Sequence, residues 1–283
     1  MGKTGLVLEG GGLRAVYNAG TLDRFHELGL EFDYIIGSSA GAANAASFVS
    51  GQKGRNMRII INYLTSKKFY SLFNILKGKP HLDLYYLYND ITYVLDPLDM
   101  EAFNASPMEF EITTTDINSG KTVYFNKKNK KFVTAMEASC ALPLLGQKPV
   151  NLRGHELLDG GLSDPIPVRR AVKKGCDKVV VVMTRNKDYV KKTGLGTIYL
   201  KFKYSKKAEF KKLISNRAKR YNQIRKYIEN PPTGVGIFPI YPSGKLTVER
   251  LTRDKEALKQ QWKMGYDDAK KVEKKLKKFL KRP

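Results

Sequence analysis

Asp33-Tyr34-Ile35-Ile36-Gly37-Ser38-Ser39-Ala40-Gly41-Ala42 is the stretch that decides the fold. Its first four residues read as a short buried strand, and Ala40 to Val49 reads as a helix of small side chains. Between them Gly37-Ser38-Ser39-Ala40-Gly41 fits G-x-S-x-G, the sharp strand-to-helix turn that lifts a serine hydroxyl clear of a sheet. A hydroxyl at that helix N-terminus faces free backbone N–H groups and the positive end of the macrodipole, which favour a developing anion. Ser39 is therefore the candidate nucleophile of an acyl-transfer site.

Upstream, Thr4 to Leu8 reads as a strand and Gly10-Gly11-Gly12-Leu13-Arg14 as a glycine turn. An amphipathic helix follows from Leu13 to Leu28, with Val16, Leu22, Phe25 and Leu28 near helical spacing, and Gly29 closes it. Strand–helix alternation of this kind points to an α/β protein with a mostly parallel sheet. A backbone without side chains at 10–12 can approach a substrate and aim N–H groups at an oxyanion. Arg14 can reinforce negative charge there. The run lacks the Gly-Lys-Ser/Thr ending of a phosphate loop, and Ala15 stands at the last glycine of G-x-G-x-x-G.

A serine nucleophile needs a base, and the histidines are His26, His81 and His155. His26 falls within the amphipathic helix and His81 follows Lys79-Pro80 in a loop, so neither is marked as a base. His155 with Asp116 would make a histidine-dependent esterase of α/β-hydrolase type, although Ser39 comes early for that fold. Asp159, in Leu157-Leu158-Asp159-Gly160-Gly161, is the better candidate. Two leucines bring a strand to an open glycine turn, from which a carboxylate reaches a site unhindered. An aspartate with a pKa of about 4 is a poor base for a hydroxyl. Asp159 would need a direct hydrogen bond to Ser39 and partial desolvation. Alone, the segment also reads as a turn-capping aspartate; three glycine-framed motifs together favour catalysis.

Taken in order, Gly10-Gly11-Gly12-Leu13-Arg14-Ala15, Gly37-Ser38-Ser39-Ala40-Gly41 and Asp159-Gly160-Gly161 resemble the patatin-like phospholipases. That family's pattern is G-G-G-x-R/K-G, then G-x-S-x-G, then D-G-G/A. Thr115-Asp116-Ile117-Asn118-Ser119-Gly120, Ala138-Ser139-Cys140-Ala141-Leu142-Pro143 and Asp164-Pro165-Ile166-Pro167-Val168 also look like family segments. The likeness covers residues 4–185 and extends through Arg253-Asp254, as in bacterial members with a longer C-terminal part. It implies a three-layer α/β/α sandwich and hydrolysis of acyl esters of phospholipids or related lipids through an acyl-enzyme. Ser39 and Asp159 would form a dyad without histidine, with Gly10, Gly11, Gly12 and Arg14 around the oxyanion. Gly37, Gly41, Gly160 and Gly161 would frame the two catalytic turns. Ala15 departs from the pattern, and a positive φ there would strain an alanine by about 1 kcal/mol.

With 283 residues and 42% apolar content the chain can build a large core. Residues 55–100 are helix-like and dense in aromatics (Phe69, Tyr70, Phe73, Tyr85, Tyr86, Tyr88, Tyr93), read as core ahead of an acyl-chain groove. Glu109–Thr115 and Lys121–Phe125 alternate as hairpin strands, and Lys178–Met183 is a buried strand. Residues 206–229 form a basic helix ending before Asn230-Pro231-Pro232. Val235–Tyr241 returns a strand to the sheet. That return makes 1–283 one domain, with 186–283 a basic, mostly helical extension. From Asp254, Leu258, Trp262, Tyr266, Ala269, Val272, Leu276 and Leu280 line one face of a long terminal helix, with lysines opposite.

The net charge of +24 is uneven, with +5 over residues 1–185 and +19 over 186–283. Such a field draws the C-terminal third towards polyanions. No zinc-knuckle, helix-turn-helix or RNA-recognition pattern is present in the sequence, so nucleic acid is not the expected partner. An anionic membrane surface, met peripherally by the lysine-faced terminal helix, is the expected contact. The preferred reading of that helix alone is packing on the core, with Trp262 and Tyr266 buried. Cys140 and Cys176 form no disulfide framework, Met1 to Leu6 shows no signal layout, and the Val179–Met183 run is too short to span a bilayer. A soluble, cytoplasmic chain without metal or cofactor is the expectation; the oligomeric state is open.

Overall fold

The computed structural model describes residues 2–71 and 80–281. Eight strands form one sheet: β1 (Lys3–Leu8), β2 (Tyr34–Ser38), β3 (Glu109–Asp116), β4 (Thr122–Asn126), β5 (Val150–Leu152), β6 (His155–Asp159), β7 (Cys176–Val182) and β8 (Gly236–Ile240). Their order is β5-β6-β3-β2-β1-β7-β8, with β4 also on β3. The run from β3 through β2, β1 and β7 to β8 is parallel throughout. The pairings of β4, β5 and β6 are antiparallel. β8 comes from the C-terminal third and lies at the edge, a position that tolerates Pro239.

Strand periodicity divides the core into two layers. Leu6, Leu8, Ile35, Ile112, Val180 and Val182 face one way. They are covered by α1 (Val16–Glu27), α2 (Ala40–Val49) and α3 (Phe132–Cys140). Val7, Tyr34, Ile36, Val179 and Val181 face the other way, under α4 (Val168–Lys173) and α5 (Arg217–Glu229). The result is the α/β/α sandwich with a mostly parallel central sheet that the strand–helix alternation predicts.

The terminal helix α6 (Lys255–Leu280) belongs to the first layer and crosses α1. Asp254 caps it, accepting from the N–H groups of Glu256 at 2.9 Å and Ala257 at 3.2 Å. Gly265 permits the crossing, since a Cβ there would stand 2.1 Å from the Tyr17 carbonyl oxygen. The apolar face of α6 thus packs on the core, with Leu258, Ala269 and Leu276 buried. Trp262 donates to Asp23 at 2.8 Å and stacks on Tyr266, but both rings stay half-buried rather than enclosed.

Register explains how distant motifs meet. β2 leaves the edge of β3 at Ser38, paired with Thr113, and β6 reaches β3 at Asp159, paired with the next residue, Thr114. β4 pairs with β3 through Thr115, occupying the other edge, so β2 and β6 share the same one. Running in opposite directions, they end facing each other, and the residue after Ser38 comes to Asp159.

Several elements differ from the sequence reading. The helix read from Leu13 begins as a tight 3-10 turn, Gly12–Ala15. The 55–100 region holds an α-helix at Arg55–Ile59 and two π-helical stretches, Ile60–Leu64 and Tyr86–Leu95, while Phe73 lies outside the described residues. The basic helix read over 206–229 is two, Ala208–Ser215 and α5. A further helix, Leu195–Lys203, has no counterpart in the sequence reading.

Candidate active site

Ser39 sits between β2 and α2 with φ 54° and ψ −129°, a conformation rare for a side-chain-bearing residue. Such backbone costs on the order of 1–3 kcal/mol and persists only when neighbours impose it. Gly41 shows how: a Cβ there would stand 2.5 Å from the Leu8 carbonyl oxygen, so the first turn of α2 is pressed onto the end of β1. The Ser39 N–H donates to Ser139 Oγ at 3.0 Å, and its hydroxyl donates to Asp159 Oδ2 at 2.7 Å. The other carboxylate oxygen accepts from the Gly161 N–H at 2.7 Å. Asp159 is fixed further by its N–H on the Ala141 carbonyl at 3.0 Å and by the Thr115 hydroxyl on its own carbonyl at 2.8 Å. Of the motif's two serines, Ser38 is fully buried and its hydroxyl has no partner among the described residues, whereas Ser39 lines a cavity.

The surrounding electrostatics suit proton abstraction. Burial raises the Asp159 carboxyl above the ordinary aspartate range, and the bonds from Ser39 and Gly161 with the Arg250 and Arg217 charges only partly offset it. A carboxylate so placed accepts a hydroxyl proton more readily than a solvated one. Cys140 lines the same cavity, but burial pushes its thiol up to about 12, with the Asp159 charge adding to the rise. It stays neutral beside Tyr88, 3.0 Å away, and is no rival nucleophile.

The glycine run lies against this pair. Gly10 abuts the Ser38 carbonyl and the Ser39 side chain, Gly12 has φ 59°, and Gly160 rests on Thr113 while Gly161 turns beside Asp159. The N–H groups of Gly11 and Gly12 have no partner among the described residues, and the Ala40 N–H opens α2 without an intrahelical acceptor. The next N–H, that of Leu13, is taken by the Arg250 carbonyl at 3.0 Å. Gly37 pairs with Ile112 on β3, one residue before the β2–β3 ladder ends at Ser38. Arg14 is buried, reaches Glu249 at 3.3 Å, and is pushed down to about 10 chiefly by burial, so it keeps its charge at neutral pH. Ala15 has φ −69°, and the strain considered for an alanine in this loop does not arise.

The histidines are elsewhere. His155 does meet Asp116, at 3.4 Å, but it opens β6 while Asp159 ends it. Four residues of strand rise separate them, about 13 Å. His26 packs on Phe48 and His81 near Tyr70. Conversely, Ser139, Cys140, Arg217 and Arg250 reach the site without having been read as site residues. The Ala138–Pro143 segment carried a signal for the first two; nothing local marked the arginines.

The cavity measures about 370 Å³ and has two characters. One arm is apolar, lined by Ile60, Leu64, Phe69, Leu84, Leu98 and Met136. Phe69, Tyr70 and Tyr88 of the aromatic segment face it, so part of what reads as plain core is cavity wall. The other arm carries Arg14, Arg185, Lys191, Arg217 and Arg250, and Ser39 and Asp159 line the same cavity. Among the described residues no group of three or more His, Cys, Asp or Glu gathers to hold a metal ion.

A serine at a strained strand-to-helix turn, on a mostly parallel sheet and hydrogen-bonded to a buried carboxylate, defines an α/β protein with nucleophile-elbow geometry. The chain belongs to the patatin-like phospholipase family, whose model matches residues 6–172. A second family model, a domain of unknown function, matches residues 207–281. The uncharacterized protein YjjU of Escherichia coli is 30% identical over 269 residues, covering 93% of this chain and 75% of the relative. The lysophospholipase NTE1 of Debaryomyces hansenii is 30% identical over 189 residues, 64% of this chain and 12% of that protein. Among solved structures, VipD from Legionella pneumophila superposes with a TM-score of 0.48 at 14% identity, over 97% of this chain and 67% of that one. Membership of the family implies lipid acyl hydrolase chemistry.

Proposed function

We propose that the protein hydrolyses acyl esters of phospholipids or related lipids through a Ser39–Asp159 dyad and an acyl-enzyme. The observation that carries this reading is the 2.7 Å hydrogen bond from the Ser39 hydroxyl to Asp159 in a cavity with an apolar arm. Asp159 takes the hydroxyl proton as Ser39 Oγ bonds to the ester carbonyl carbon. The Gly11, Gly12 and Ala40 N–H groups steady the oxyanion, and Arg14 adds long-range positive charge. Asp159 returns the proton to the departing alcohol, and water, activated by the same carboxylate, releases the fatty acid. The acyl chain lies in the apolar arm. A relative named as a lysophospholipase supports the lipid-ester class. Residues 1–283 act as one unit in this scheme, because β8 completes the sheet and Arg217 and Arg250 stand by the site.

Contact with an anionic membrane surface is part of the same reading, but through a different helix from the terminal one. Leu195, Ile198, Tyr199 and Phe202 lie on one face of Leu195–Lys203, exposed by 84, 64, 49 and 81%. Gly194, Gly196 and Thr197 at its start line the cavity, and Lys201 and Lys203 flank the apolar face. The setting is a cytoplasmic one, consistent with Cys140 and Cys176 as free thiols. No helix among the described residues is long and apolar enough to cross a membrane.

Fluorophosphonate labelling tests the nucleophile. Wild type should label and Ser39→Ala should not; equal labelling of both would overturn the assignment. On a lysophospholipid ester, Asp159→Asn should lose roughly a thousandfold or more in kcat. His155→Ala should keep most turnover, and the reverse pattern would restore the histidine-dependent alternative.

A further inference from the structure

The cationic arm of the cavity is assembled from elements far apart in sequence. Arg14 comes from the glycine turn, Arg185 follows β7, Lys191 lies in the next loop, Arg217 opens α5, and Arg250 lies between β8 and α6. Acidic partners are few and already engaged. Glu249, mostly exposed, reaches Arg14 at 3.3 Å and Arg185 at 4.0 Å. Buried Glu9 accepts from the Thr184 N–H at 2.7 Å and the Tyr221 hydroxyl at 2.6 Å. Asp159 is occupied by Ser39 and Gly161. Among the described residues, Arg217 makes two 3.4 Å hydrogen bonds, both to the Gly161 carbonyl. The Lys191 ammonium and the Arg250 guanidinium have no hydrogen-bonded or ion-paired partner among the described residues.

These heads are held rather than loose. Lys191 lies 4.7 Å from the Tyr221 ring centre and Arg185 4.5 Å from that of Tyr189. Arg250 packs its stem onto Gly12, its Cγ 2.5 Å from where a Cβ on that glycine would stand. Burial, with Arg217 and Arg250 close by, brings Lys191 down to about 7. Like charges gathered in a partly dry cavity oppose folding, and an anion carrying one or two charges removes the opposition. Planar guanidinium groups suit phosphate oxygens two at a time.

We propose that this arm is a phosphate subsite, and that the ester acted on is an anionic phospholipid or lysophospholipid. Its head-group phosphate lies among Arg185, Lys191, Arg217 and Arg250 while its acyl carbonyl lies at Ser39. This rests on the Ser39 hydrolase reading. A choline head group carries the same phosphate but adds a quaternary cation that the cluster repels, so it should bind more weakly than an anionic head group.

Direct binding is the first test, with glycerol 3-phosphate titrated calorimetrically into wild type, Lys191→Gln and Arg250→Gln. Wild type should bind, and each variant should weaken binding roughly tenfold, the size of one charge-assisted hydrogen bond. Absence of binding to wild type, or equal binding by all three, overturns the subsite. Kinetics then identify the source of the phosphate. Monoacylglycerol phosphate and neutral monoacylglycerol are compared as substrates through the ratio of their kcat/KM values. That ratio should favour the anion in wild type and fall roughly tenfold in each variant. Inorganic phosphate should raise KM for the anionic substrate without changing kcat. If it changes kcat on the neutral ester while the ratio stays flat, the arm takes a free anion and the head-group assignment fails. Wild type that binds glycerol 3-phosphate yet turns over no acyl ester would sink the hydrolase reading instead.

Discussion

Asp159 has its two carboxylate oxygens on Ser39 and Gly161, and almost no contact with water. Only its ionised form accepts a proton, and burial raises its pKa. The acid limb of a kcat/KM profile on a neutral ester should therefore lie above the ordinary aspartate value of about 3.9. A limb at or below that value would contradict the raised carboxyl. The same shift has a stability side. A carboxyl raised in the fold favours the protonated state, and that contribution is lost as pH rises through the folded pKa. Asp159→Asn should then melt no lower than wild type at neutral pH while losing turnover, and a clear drop in Tm would argue that the ionised form stabilises the fold. Ser39, Asp159 and their glycines were legible in the sequence because a tight turn admits few residue types. Ser139, Arg217 and Arg250 were not, because nothing in their own neighbourhoods records where the chain returns. Ala15 shows the opposite limit: the motif singled out its missing glycine, yet the positive φ falls at Gly12.

Helices and strands are placed by what their faces bury. The long basic stretch over 206–229 has good helix formers throughout, so periodicity alone joins it. It breaks at Asn216 because its halves serve different layers. Phe210 and Ile214 join the layer of α1 and α2, whereas Tyr221, Ile224 and Ile228 join that of α4. Leu195–Lys203 is hard to read for a related reason: Leu200 is its buried anchor in the core, while the stripe Leu195, Ile198, Tyr199 and Phe202 faces outward, so its apolar periodicity is not what docks it. The α1–α6 crossing was readable only in part. The apolar stripe of α6 predicted packing, but the need for Gly265 follows from how closely the Tyr17 carbonyl approaches it. Gly265→Ala should destabilise the fold by about 1–3 kcal/mol, measured as a lowered urea midpoint at unchanged m-value. An unchanged midpoint would mean the helices can part without penalty.

Charge and shape together set how the molecule meets its surroundings. Of the cations behind the net +19 over residues 186–283, Lys191, Lys192, Arg217, Arg250 and Arg253 line the cavity, and the exposed side chains of Leu195–Lys203 project beside it. Each large apolar side chain that enters a lipid surface contributes roughly 1.5–3 kcal/mol. Flotation with vesicles rich in anionic lipid should carry the protein, and Leu195→Ser with Phe202→Ser should weaken the partition at least about tenfold. Failure to float at low salt, or equal flotation of the double variant, would remove helix Leu195–Lys203 as the contact. The end-to-end meeting of β2 and β6 on one edge of β3 bears on when the chain becomes reactive. During synthesis the serine leaves the ribosome 120 positions ahead of its carboxylate partner. A nascent or truncated polypeptide that stops short of β6 carries Ser39 without the carboxylate that the proposed dyad needs. On the proposed mechanism, esterolysis would wait on closure of the antiparallel end of the sheet, so that an incomplete chain would leave lipid esters untouched.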